Sequence, residues 1–181
     1  MQFTAGILYG GKSRRMGQPK AALLLEGRTF LETLQAAFAG IPTLLSGVEH
    51  IRDVYPDCGP LGGLHALLCA CGTDALFVTA CDTPLVDLSL AEALCALLTE
   101  DYDAVVPTDP DGRLHPLCAI YRKGCAAAAE SQLQNDQRRM RDFLALLRVR
   151  YVPVDELPNA AYKLQNLNTP EEYARFLETL G

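Results

Sequence analysis

The chain has 181 residues, nearly half of them apolar, and a formal net charge of −6. That length buries a sizeable core without staples or a partner, and the negative balance disfavours broad binding to nucleic acid or to an anionic membrane. No charged N-terminal segment leads into a long apolar core with a small-residue cleavage site, and no apolar run reaches membrane-spanning length, so a cytoplasmic protein is expected.

In chain order, apolar β-prone runs recur as TAGILY (4–9), PTLLSG (42–47), ALFVTA (75–80), DAVVPT (103–108), HPLCAIY (115–121) and VRYVPV (149–154). Helical patterns fall between and after them, at about 28–39, 62–71, 88–99, 122–131, 137–147 and 170–180. Strand alternating with helix predicts an α/β fold, a three-layer sandwich with a mostly parallel central sheet of the Rossmann-like kind. No linker or internal repeat interrupts residues 1–181, so one domain is expected.

Ligands of open parallel sheets lie beyond the carboxyl ends of the strands. Here those ends run into GGKSRRMGQPK, VEHIRD, CDTP and DPDGR, a gathering of glycine, acid and base. Seven cysteines form no C-x-x-C pair and three histidines show no zinc spacing, so reduced, mostly buried thiols are expected.

The first of these segments fits two phosphate-binding patterns. Gly6–Ser13 matches G-x-x-x-x-G-K-[ST], the P-loop of kinases and GTPases, but its four variable positions are Ile7, Leu8, Tyr9 and Gly10. Three bulky apolar residues belong in a strand, and Gly17 and Pro19 would interrupt the helix that a P-loop needs. The better reading ends the strand at Tyr9, turns at Gly10 and Gly11 with open backbone N–H groups, and brings in the cations Arg14, Arg15 and Lys20. Asp82 ends an apolar strand, where an acid can hold a divalent ion against phosphate oxygens. Asn166 and Asn168 flank Leu167 in an extended segment and point the same way. Thr169, Pro170 and Glu172 form a capping box for the helix that follows.

GGKSRRMGQPK resembles the L-x-G-G-x-S-x-R-M-G-x-x-K signature of the molybdenum cofactor guanylyltransferases, nucleotidyltransferases that make molybdopterin guanine dinucleotide. GPLGG at Gly59–Gly63, CDTP at Cys81–Pro84, HPLCAIY and NLNTPEE at Asn166–Glu172 match further family motifs in order, over nearly the whole chain. The resemblance implies a nucleotidyltransferase fold and transfer of GMP from GTP to molybdopterin with release of pyrophosphate. It implies Lys20, Asp82 and Arg15 as catalytic residues, with Mg²⁺ on Asp82. It further implies nucleotide contacts at Leu8, Tyr9, Gly10, Gly11, Lys20, Ser46, Asp53 and Asp82, and second-substrate contacts at Arg138, Arg139, Asn166 and Asn168.

Asp53 aligns with a family aspartate that contacts GTP, but it stands closer to GPLGG than in the family, and Asp57 is the competing acid. Ser46 stands where asparagine is common, and Tyr9 replaces a small residue, which keeps a CTP-using enzyme open. A sugar- or polyol-phosphate nucleotidyltransferase is a further alternative, as is a non-catalytic cofactor carrier. A molybdoenzyme or chaperone is an expected acceptor of the product.

Overall fold

The computed structural model describes residues 1–9, 23–25, 27–47, 50–167 and 172–173. Every predicted strand forms: β1 Phe3–Leu8, β4 Thr43–Ser46, β5 Ala75–Ala80, β6 Ala104–Thr108, β7 Ala119–Arg122 and β8 Val149–Pro153. They make one sheet in the order β4-β1-β5-β7-β6-β8, parallel except for β7, which runs antiparallel to both neighbours. A short antiparallel ribbon, β2 Leu24–Leu25 with β3 Arg28–Thr29, was not anticipated.

Side chains alternate across the sheet and so feed two apolar layers. Ala5, Ile7, Phe77, Val105 and Ile120 meet α1 (Phe30–Ala37), α3 (Leu88–Leu97) and α6 (Ala160–Lys163) on one face. Leu8, Leu76, Val78, Val106 and Tyr121 meet α2 (Gly59–Ala70), α4 (Cys125–Gln134) and α5 (Met140–Leu144) on the other. This is the predicted three-layer sandwich. Gly6 is buried inside β1, paired on one side with Leu44 and on the other with Val78, so it cannot open a P-loop.

Several helix bounds shift for local reasons. Arg28 and Thr29 belong to β3, and α1 starts at Phe30 because Thr29 and Glu32 close a reciprocal capping box, with Glu32 Oε2 accepting from Thr29 N at 2.7 Å. α2 starts at Gly59, three residues earlier than predicted, with Pro60 in its first turn, where a missing N–H costs nothing. GPLGG is therefore the helix's N-terminal turn. The helix predicted at 137–147 shrinks to Met140–Leu144, with Arg139 as its N-cap residue. The one predicted at 170–180 lies outside the described residues apart from helical Glu172 and Tyr173, and Thr169 and Pro170 lie outside them too.

All seven cysteines are free, and five are buried; Cys95 is half-buried and Cys69 is exposed, contrary to the burial expected of it. No described helix is long and apolar enough to cross a membrane.

α6 is held to α3 by a largely buried charge. Lys163 Nζ donates to Asp87 Oδ1 at 2.8 Å and to Ser89 Oγ at 2.6 Å, while Asp87 also caps α3 by accepting from Leu90 N. Burial alone would raise the Asp87 pKa, but Lys163, Leu90 N–H and the Ser89 hydroxyl hold it below the usual carboxylate range. A depressed carboxylate stabilises the fold above its unfolded pKa and loses that contribution as pH falls through the folded one. Asp87→Ala removes the cap and strands Lys163. The expected loss is roughly 2–3 kcal/mol near neutral pH, discounted for the half-open carboxylate. Denaturant unfolding at pH 7 and in acid measures it, and the gap between wild type and variant should narrow in acid.

Candidate active site

The carboxyl ends of β4, β1 and β5 finish level: Leu8 pairs with Ser46 on one side and Ala80 on the other. Cys81 N donates to Leu8 O at 3.4 Å, continuing the row one residue past the strand. Leu8, Ser46 and Asp82 therefore stand along one edge, as the strand-end reading required.

Asp53 joins them from the loop between β4 and α2. That loop is pinned at three points. Ile51 bridges to Ser46, Tyr55 shares hydrogen bonds with Glu130 and Gln134 of α4, and the Asp57 carbonyl accepts from Arg138 Nη1 at 3.1 Å. The Asp53 carboxylate comes to rest against the first turn of α2. A Cβ placed on Gly63 would lie 2.8 Å from Leu8 Cδ2, 3.4 Å from Ser46 Oγ and 3.8 Å from Asp53 Oδ1. Leu8, Ser46 and Asp53 thus converge on the bare face of Gly63. Asp57 is exposed, with a left-handed φ of 58°, and its backbone rather than its acid is engaged. Of the two competing acids, Asp53 is the one beside Ser46.

Burial raises the Asp53 pKa, and His65, one turn along α2, opposes that shift. His65 is 3 % exposed, edge-on to Tyr55 at 5.5 Å, with Nε2 3.4 Å from Cys69 Sγ.

The turn after β4 is also tight. Gly47 has φ +141°, and a Cβ there would lie 2.6 Å from the Tyr9 carbonyl oxygen. Tyr9 in turn meets the His50 ring edge-on at 5.8 Å. Gly47→Ala should push the β4 turn off the end of β1, costing about 1–3 kcal/mol. Thermal unfolding and nucleotide titration are both expected to register it.

Asp82 is half-buried in the turn after β5. Its carbonyl accepts from Leu167 N at 2.9 Å, which brings Asn166 and Leu167 to the turn after β5. Leu167 then packs with Leu23, Leu25 and Phe30, while Tyr173 stands edge-on to Phe30 and donates its hydroxyl to the Leu24 carbonyl. Leu167 and Tyr173 thus both pack on the segment 23–30, Leu167 from beside Asp82. Gly10, Gly11, Arg15, Lys20 and Asn168 lie outside the described residues.

The surroundings of Asp82 suit a hard cation. Burial and then the charge of Asp82 push the Cys81 thiol up to about 12. Burial pushes Cys118 to about 11, with Asp82 again contributing, against hydrogen bonds from Thr83 and Thr79 that lower it. Both thiols stay protonated and are poor ligands, which leaves oxygen donors. Among the described residues no cluster of three His, Cys, Asp or Glu could hold an ion alone. Magnesium fits such a site, since it takes one or two carboxylates and completes its shell with water and substrate phosphate.

Arg138 is tied to Asp136 at 2.6 Å as well as to the Asp57 carbonyl, and the Asp136 hydrogen bond raises its pKa. Arg139 is exposed, and its carbonyl accepts from Asp142 N and Phe143 N at the start of α5. The predicted second-substrate residues thus fall into two groups, Asn166 beside Asp82 and the arginines near the start of α2.

Residues 5–154 match the MobA-like NTP transferase domain, which is most of the chain. The chain belongs to this family. A "probable molybdenum cofactor guanylyltransferase" of Pelotomaculum thermopropionicum is 35 % identical, covering 97 % of this chain and 92 % of that protein. One of the same name from Bacillus subtilis is 31 % identical over 93 % of this chain and 91 % of the relative. Among solved structures, molybdopterin-guanine dinucleotide biosynthesis protein A of Archaeoglobus fulgidus superposes with a TM-score of 0.84 at 25 % identity, covering 95 % of each chain. A 2-C-methyl-D-erythritol 4-phosphate cytidylyltransferase of Thermus thermophilus shares the fold alone, at a TM-score of 0.65 and 17 % identity. The protein is a nucleotidyltransferase, and its Rossmann-like sheet is the scaffold of that class.

Proposed function

We propose that this nucleotidyltransferase is a molybdenum cofactor guanylyltransferase that moves GMP from GTP to the phosphate of molybdopterin, releasing pyrophosphate and forming molybdopterin guanine dinucleotide. The observation that carries the reading is the level row of Ser46, Leu8 and Ala80, with Asp53 leaning on Gly63 at one end and Asp82 bonded to the Asn166–Leu167 segment at the other. A nucleoside triphosphate laid along that row has its base at Ser46, Tyr9 and Asp53 and its phosphates at the glycine-rich loop.

The nucleophile is a phosphate monoester whose second pKa is about 6, so it is already ionised at neutral pH and needs no general base. The chemical demand is charge neutralisation between two polyanions and in-line alignment. Asp82 would hold Mg²⁺, which would supply positive charge against the phosphate oxygens. Lys20 and Arg15 bind the triphosphate and steady the departing pyrophosphate, while Gly10 and Gly11 present N–H groups. Asn166, Asn168, Arg138 and Arg139 orient the acceptor. A molybdoenzyme or its chaperone takes the product, in the cytoplasm.

Ser46 in place of asparagine leaves base choice to be measured. Pyrophosphate release with molybdopterin as acceptor should be fastest with GTP among GTP, CTP, ATP and UTP. A preference for CTP would make the product the cytosine dinucleotide, and no release with any of the four would sink the reading.

A further inference from the structure

One polar pair on the same edge of the sheet has no part in the chemistry above. β7 is antiparallel, so its amino-terminal end opens beside the carboxyl ends of β5 and β6. There His115 Nε2 lies 2.9 Å from Asp109 Oδ1, with side-chain exposures of 8 % and 28 %. The contact is short but not aligned as a hydrogen bond, leaving the buried Nε2 without a hydrogen-bond partner. A tight hairpin fixes both residues: Asp109 N donates to Arg113 O, Gly112 N to Asp109 O, and His115 N to Pro107 O. The pair is mechanically joined to the turn that carries Asp82, because Cys118 N donates to His115 O and Cys118 Sγ lies 3.4 Å from Thr83 Oγ1.

Position restricts what the pair can touch. Neighbouring strands are about 4.8 Å apart, and β7 separates β6 from β5, so Asp109 stands roughly 10 Å from the end of β5. In the proposed reaction the nucleotide takes the β4–β1 side. In-line transfer places the acceptor on the side of the α-phosphorus away from pyrophosphate, and an acceptor phosphate near Asp82 leaves its far end over β7 and β6. For molybdopterin that end is a pterin, whose 2-amino group and N3–H form two adjacent donors. A carboxylate with roughly four lone-pair sites can accept both.

The geometry points to Asp109 as the residue that reads the pterin edge of the acceptor, with His115 as its positioning residue; this rests on the molybdopterin reading above. The test compares binding of 6-hydroxymethylpterin and 6-hydroxymethyllumazine, which carries a 2-oxo group in place of the 2-amino group. Ligand fluorescence serves as the readout, free of tryptophan background because the chain has none. The wild type should prefer the pterin by about tenfold or more, since the oxo group sets lone pairs against the carboxylate. Asp109→Asn should remove the preference while Mg²⁺–GTP binding stays unchanged, and His115→Gln should reduce it. A wild type without preference, or an Asp109→Asn protein that keeps it, would overturn the assignment. Pyrophosphate release from GTP and molybdopterin, run alongside, separates the two claims: turnover without pterin preference sinks only the role of Asp109, whereas absent turnover sinks the proposed function.

Discussion

Asp82→Asn is expected to lower pyrophosphate release from GTP and molybdopterin by at least about a thousandfold, the scale on which a charge-stabilising group at a phosphoryl centre acts. The substitution keeps the side chain's shape. It also keeps the main-chain carbonyl that accepts from Leu167 N, so the C-terminal segment should stay docked and the unfolding temperature should hold. Mg²⁺ dependence of GTP binding should weaken at the same time. Retained GTP-dependent turnover would show that the ion, or the chemistry, sits elsewhere.

Lys20→Met carries the second large effect, a fall of about a hundred- to a thousandfold in kcat. In the proposed mechanism Lys20 stabilises charge that grows on the leaving pyrophosphate, so the loss should appear in kcat more than in the KM for GTP. Methionine keeps most of the side chain's length without the ammonium. A rise in KM with kcat unchanged would mean that Lys20 holds ground-state nucleotide only.

These two residues mark how far the sequence was legible. The acid at the end of ALFVTA could be located because an apolar run closed by a polar turn is a local signal, and the same holds for all six main strands. Gly6 was rejected as a loop residue on its bulky neighbours and on the Gly17 and Pro19 that would break the helix a P-loop needs, and it is buried in β1. The antiparallel course of β7 was not readable, because strand direction depends on pairing partners far along the chain. HPLCAIY was accordingly taken as one continuous strand, although its first four residues form a turn.

Other features carried a signal that went unused. Thr29 and Glu32 are a T-x-x-E box that fixes the start of α1. Pro60 marks a first helical turn, yet the predicted helix began only at about residue 62, inside GPLGG. Choosing between Asp53 and Asp57 needed three dimensions, since it turns on which carboxylate the pinned loop sets against Gly63. α6 spans four residues and is held by the buried Lys163 rather than by propensity, so periodicity could not reveal it. The glycine-rich segment with Arg15 and Lys20 lies outside the described residues, and its role is proposed from the sequence.

The account stands most directly on one structure, that of the protein with Mg²⁺ and a GTP analogue blocked between the α- and β-phosphates. The ion should lie about 2.1 Å from a carboxylate oxygen of Asp82, bridging to the triphosphate, with Lys20 on the phosphates and the base between Ser46 and Asp53. A triphosphate bound away from the ends of β1 and β5, with Asp82 and Lys20 both clear of it, would contradict the account.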